Sequence, residues 1–236
     1  MTSFGLKMIA MVTMLIDHIG FAAFHYVTWM NLLGRIAFPI FAFQISEGYV
    51  HTKNLKKYIG RLFVFALASQ PAFMLFHSLV SKEIALNIFF TLFVGLVAII
   101  VYDKITQRQT SLCKNGTLDK MIKHSLAIFV VILLGIFAQI CKFDYGFFGI
   151  MIIFLFYLFK SNKMAMIISF IIACTLKYSI NILRFGYHFY YILLCIFTVL
   201  PIIFICLYNQ KQGRKIKYLL YFFYPVHLLI LYFIFR

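Results

Sequence analysis

Nine apolar runs occupy most of the chain, and each is near the length of helix that crosses a bilayer. They cover residues 8–27, 32–50, 60–79, 84–102, 124–142, 145–160, 163–182, 187–208 and 217–235, with charged or turn-forming residues between them. Crossing the hydrocarbon core as a helix takes about 20 apolar residues. The runs therefore use most of the 236 residues and leave short loops. The expected architecture is an all-α polytopic membrane helical bundle of about nine transmembrane helices, with eight to ten compatible. Residues 1–236 form a single integral membrane domain in this reading. The run 145–160 is short for a full span and suits a helix with little tilt or a partly re-entrant one. Composition removes the competing classes: 64% of residues are hydrophobic and 12% charged, against roughly 45–50% and ~25% in a soluble domain. A soluble enzyme, a secreted disulfide scaffold and a disordered chain are all excluded. Asp17 and His18 interrupt the first run and argue against a cleaved signal peptide.

The net charge of +16 comes from 22 Lys and Arg against six acids. In a soluble protein that balance would point to nucleic acid. Here no soluble basic module exists to bind it, so the bases are expected to anchor cytoplasmic loops and meet membrane lipids. With the N-terminus in the cytoplasm, sixteen Lys and Arg fall on inner segments and six on outer ones. The outer six are Arg35, Lys82, Lys142, Lys177, Arg184 and Arg236. That split favours an N-in, C-out chain in a cytoplasmic membrane. The longest loop, 103–123, reads as a flexible cytoplasmic connector with a polar run at 106–111. Cys113, Cys141, Cys174, Cys195 and Cys206 lack C-x-x-C spacing, so neither a disulfide framework nor a metal site is expected.

A charge at the bilayer centre costs about 2.5–3.5 kcal/mol on insertion scales, so each charge inside a span needs a reason. Asp17 and His18 lie midway along the first run, and His227 midway along the last. At 1.5 Å per residue both histidines sit ~15 Å deep, near the midplane, and can face a common cavity. An imidazole suits a general base near neutral pH. Asp17 and His18 diverge by about 100° around a helix, so Asp17 is expected to meet a base on another helix. Arg35 sits near the outer end of the second run and Glu47 near its inner end. Arg35 can steady a carbonyl oxygen or pair with Asp17, and Glu47, close to Lys7, Lys53, Lys57 and Arg61, is expected to form an ion pair there. The stretch 51–61 holds Lys53, Lys56, Lys57 and Arg61, a cytoplasmic mouth for phosphates such as those of coenzyme A. Asp144, before Tyr145-Gly146, can orient a histidine or an acceptor group. Plainer roles remain open: interhelical bonds for the histidines, snorkelling for Arg35, a helix cap for Asp144 and lipid-headgroup anchoring for the basic stretch. Pro225, two residues before His227, suggests a bend there.

Several polar residues stand in fixed apolar frames. Leu6-Lys7-Met8-Ile9-Ala10 and Met14-Leu15-Ile16-Asp17-His18-Ile19-Gly20 resemble the opening of the TraX family of conjugal-transfer membrane proteins. So do Gly34-Arg35-Ile36-Ala37-Phe38-Pro39, Ser46-Glu47-Gly48, Asn87-Ile88-Phe89-Phe90-Thr91-Leu92, Asp144-Tyr145-Gly146 and Tyr224-Pro225-Val226-His227-Leu228. The resemblance runs from the first helix to the last. It implies an acetyltransferase, since the family's namesake is associated with N-terminal acetylation of pilin in bacterial conjugation. More distantly, the pattern resembles the transmembrane acyltransferase superfamily, which begins with a basic residue followed eleven positions later by a histidine, as Lys7 and His18 do. That position usually holds Arg in the superfamily, and its members often have ten spans. By this resemblance His18 is catalytic and Arg61 and its neighbours face the coenzyme. The implied donor is acetyl-CoA, and the acceptor a pilin-like peptide or a cell-envelope glycan or lipid. Two other classes compete: a transporter using Asp17, His18, Arg35 and His227 as a proton or ion relay, and a non-catalytic membrane scaffold.

Overall fold

A computed structural model describes residues 1–24, 29–79, 81, 83–108, 116–214 and 217–236, without the side chain of Lys217. Cys113, the 109–111 part of the polar run, and Lys82, Lys114 and Lys215 lie outside the described residues. The helices are α1 (Ser3–Phe24), α2 (Trp29–Gly34), α3 (Ala37–His51), α4 (Leu55–His77), α5 (Ile88–Thr106), α6 (Gly116–Ile140), α7 (Gly146–Leu158), α8 (Lys163–Phe185), α9 (Phe189–Val199), α10 (Pro201–Cys206) and α11 (Lys217–Phe235). The described residues contain no strand, only an isolated bridge between Leu86 and Phe143.

Seven helical segments are long and apolar enough to cross a membrane: α1, α4, α5, α6, α8, α9 with α10, and α11. The chain is a multi-pass membrane protein. The other two expected spans are shorter. The run 32–50 is broken where Arg35 N and Ile36 N turn back onto the carbonyls of Leu32 and Leu33, leaving α3 with 15 residues. The run 145–160 becomes α7, whose 13 residues reach about 20 Å, less than a ~30 Å hydrocarbon core. Tyr145, with a left-handed φ of 62°, starts α7 late. A count of nine full spans does not follow from these lengths.

α7 is short because it is the middle of the bundle. It packs against α3, α5, α6 and α8, and residues on every side of it are buried, as expected of a helix that is apolar all round. α5 is nearly as enclosed. The outer helices instead keep apolar faces exposed, up to 75% at Ile140 and 85% at Leu183. Such faces suit lipid, which is as apolar as they are.

Glycines set the α5–α7 distance. A Cβ on Gly95 would stand 2.4 Å from Ile153 Cδ1, and one on Gly149 would stand 2.5 Å from Thr91 Cγ2. Polar bonds tie the ends. Asn87 caps α5 by accepting from Phe89 N at 2.9 Å, and donates through Nδ2 to Ala66 O and Gln70 Oε1, both at 2.8 Å. Asn54 and Asn162 cap α4 and α8 in the same way. The first turn of α1 donates from Ser3 N and Phe4 N to the carbonyls of Lys211 and Gln212. That brings the loop before α11 beside the start of α1.

Because backbone there is so close to Ile153, Gly95→Leu is expected to destabilise by about 1–3 kcal/mol through overpacking. Gly60→Ala, with nothing within 4 Å of the new Cβ, is expected to leave stability unchanged or slightly raised. Thermal unfolding of the two variants in detergent checks the contrast.

Candidate functional site

A cavity of about 560 Å³ opens at the end of the bundle where the basic loops gather. α1 lines it with Lys7, Met11 and Met14, a stripe at helical spacing whose next member is His18. α11 lines it with Leu220, Tyr221 and Tyr224, and His227 follows one turn on. α3 adds Gln44, Glu47 and His51, and the start of α4 adds Tyr58 and Arg61. Lys53 is at the mouth, as is Tyr208, whose phenol is pushed up to about 12 by burial and the Glu47 carboxylate. Two buried donors around this space make no hydrogen bond among the described residues: Gln44 Nε2 and Arg61 Nε. The expected ion pair of Glu47 with a Lys or Arg is not formed among the described residues; its Oε2 lies instead 3.3 Å from His51 Nε2, one turn on along α3. Lys56 and Lys57 stand exposed on the first turn of α4, outside the cavity.

At the deep end the two histidines meet. His18 Nδ1 lies 2.7 Å from His227 Nε2, and the two rings lie edge to edge, inclined by 13° with centroids 5.0 Å apart. Phe76 of α4 lies against His18 at 5.1 Å, and Tyr224 is near both rings. His227 is 5% exposed. The equal depth read from the sequence thus becomes a direct contact between the first and last helices.

Asp17 does turn away from His18. Arg35 Nη2 is 4.0 Å from Asp17 Oδ1. Asn31 donates to the same oxygen at 2.9 Å and to the Asp17 carbonyl at 3.1 Å, while Arg35 Nε donates to Asn31 O. Gly34 makes this approach possible, because a Cβ there would collide with the Asp17 side chain at 2.3 Å. Arg35 also acts electrostatically on His18, Tyr145 and Asp144. Asp144 sits in the loop before α7, where burial pushes its carboxyl up to about 6 against the pull of Arg35. Its carbonyl accepts from Thr91 Oγ1.

Sequence reasoning missed three members of this second cluster. Asn31 is one turn before Arg35 and carries no charge to mark it within the run. Lys177 was counted only as an outer base, yet its ammonium lies over the rings of Phe148, Tyr145 and Tyr178 at 4.1, 5.4 and 5.4 Å. Tyr178 bonds Thr198 at 2.7 Å and so links α8 to α9. A lysine inside the apolar run 163–182 was the available signal.

The family model described as TraX protein matches residues 4–235. The chain belongs to the TraX family. A relative from Dichelobacter nodosus, the probable fimbrial assembly protein FimC of serogroup H1, is 25% identical over 247 residues, which cover 98% of this chain and 94% of that protein. No solved structure matches. In this TraX-family protein the matched range takes in both histidines, the basic mouth and the Asp17–Arg35 cluster. Among the described residues, no three His, Cys, Asp or Glu side chains converge as a metal site.

Arg35→Ala would leave the Asp17 carboxylate buried beside Asn31 alone, an expected loss of about 3 kcal/mol. The double variant Arg35→Ala/Asp17→Asn is expected to recover part of it. Thermal unfolding of both single variants and the double in one detergent measures that coupling.

Proposed function

We propose that this protein is a membrane-embedded acetyltransferase. It transfers an acetyl group from acetyl-CoA, entering at a cytoplasmic basic end, to an amine or hydroxyl acceptor at the bacterial cytoplasmic membrane. The observation that supports this best is one cavity that begins among Lys7, Lys53 and Arg61 and ends one turn short of a buried histidine pair. Phosphates need cations at an open mouth, and a thioester needs an apolar, water-poor passage to the base. The unpaired donors Gln44 Nε2 and Arg61 Nε fit the acceptor-rich body of an acyl-coenzyme A. The volume is in the ~300–1,000 Å³ range of cofactor pockets.

When bound, acetyl-CoA supplies an activated acyl carbon. Lys7, Lys53 and Arg61 hold the phosphates; Met11, Met14 and Tyr224 exclude water along the passage. His18 takes the proton from the acceptor as its nitrogen or oxygen bonds to the acyl carbon. As the carbon–sulfur bond breaks, His18 returns a proton to the leaving thiolate. Arg35 offsets negative charge developing on the acyl oxygen, and Asp17 keeps Arg35 in place. Asp144, facing Arg35 from the α7 side, orients the acceptor. The fimbrial assembly named for the Dichelobacter relative favours a pilin-like peptide N-terminus as acceptor over an envelope glycan or lipid.

Calorimetry of acetyl-CoA with detergent-purified protein tests the reading. Arg61→Ala is expected to weaken binding about 10- to 100-fold, the worth of a charged hydrogen bond. Lys57→Ala, outside the cavity, is expected to change it less than about threefold. His18→Ala is expected to bind acetyl-CoA as the wild type does and to transfer no acetyl group. Failure of the folded wild-type protein to bind overturns the reading in favour of a relay or scaffold.

A further inference from the structure

Two bonds at the histidine pair together determine where its protons sit. His227 Nδ1 lies 2.7 Å from the carbonyl oxygen of Phe223, one turn back on α11. A carbonyl only accepts, so His227 Nδ1 must carry the hydrogen. A neutral imidazole has one N–H, so His227 Nε2 is then a bare acceptor. That acceptor is the atom 2.7 Å from His18 Nδ1. Two lone pairs cannot face each other at that distance, so His18 Nδ1 must donate. His18 therefore holds its hydrogen on Nδ1 and keeps the Nε2 lone pair available.

The alternative is a charged His227 donating from both nitrogens. The surroundings oppose it. The rings against the pair are Phe76 from α4 and Phe223 and Tyr224 from α11. The charged group acting on His18 is Arg35, itself a cation, and the nearby Asp17 carboxylate is engaged with Arg35 and Asn31. No carboxylate forms an ion pair with either imidazole among the described residues.

We infer that His227 is a positioning residue that holds His18 in the Nδ1–H tautomer, with the Phe223 carbonyl as the fixed end of a three-member chain. Its role matches that of the carboxylate in a Ser-His-Asp triad, which fixes the tautomer of the base, but it brings no charge into the bilayer. An uncharged acceptor also avoids the desolvation cost of a buried carboxylate. When His18 Nε2 takes a proton, the Nδ1–H···Nε2 bond lets the second ring share the positive charge. The inference rests on the proposed role of His18 as base.

The test is nitrogen NMR of protein labelled with ¹⁵N in its histidine rings, with His18 identified by its loss in His18→Gln. The expected wild-type signature is Nδ1–H with a bare Nε2 at His18. His227→Ala removes the acceptor and is expected to move His18 to the Nε2–H form that free histidine prefers. His227→Gln, whose Oε1 stands near the place of Nε2, is expected to restore the wild-type signature. An Nε2–H tautomer at wild-type His18 overturns the inference, as does a His18 signature unchanged in folded His227→Ala. Should the signatures behave as expected while His18→Ala still transfers acetyl groups, the positioning contact stands and the catalytic reading of His18 falls.

Discussion

This chain places several polar side chains inside segments apolar enough to cross a membrane, where hydrocarbon offers no hydrogen bonds, and that constraint organises the bundle. A buried donor or acceptor without a partner costs several kcal/mol in hydrocarbon. Each such group therefore fixes a neighbour. His18 and His227 clasp the first helix to the last. Asp17, Asn31, Gly34 and Arg35 lock the α1–α2 corner. Asp103 on α5 accepts from Tyr49 of α3 and Tyr157 of α7, both at 2.6 Å. Asn87 and Gln70 join α4 to α5. Apolar packing alone would not choose among helix partners in lipid, since lipid chains are as apolar as the side chains. The polar bonds do choose.

The same economy shapes the interior. α7 is enclosed by four helices and needs no length to reach either interface, so it can be short and apolar all round. Close approach at Gly95 and Gly149 places the α5–α7 pair at the centre. The cavity lies on the α5 side of this pair, bounded by α1, α3, α4, the first turns of α5, and α11. It is the region where neighbouring helices do not close on each other and where unpaired donors remain. Rigid packing and a polar opening are thus complementary parts of one arrangement.

Much of the site was legible in advance. The depth of His18 and His227 followed from counting residues along two helices, because helical rise is constant. The divergence of Asp17 from His18 followed from helical rotation, and its pairing with Arg35 was anticipated. Other parts were not. Lys56 and Lys57 belong to the same basic stretch as Arg61, but they stand exposed on the first turn of α4, while Arg61, one turn further in on the same face as Lys57, lines the cavity. Lys177 of α8 lies over Tyr145 in the loop before α7 and over Phe148 on α7, and no periodicity in any one segment reveals such a meeting.

The sequence alone determined the membrane-spanning helical class, the location of most helices, and the matching positions of His18 and His227 along the first and last of them. These depend on hydropathy and on helical rise, both local properties. Tertiary structure decided that 146–158 is an internal helix and that the span after α1 is broken. It also decided which atoms of the two imidazoles face each other. Those outcomes depend on how helices rotate and pack against several neighbours at once, which no single segment encodes. The tautomer of His18 depends on them most directly, since it follows from one backbone carbonyl on α11 acting through a second ring.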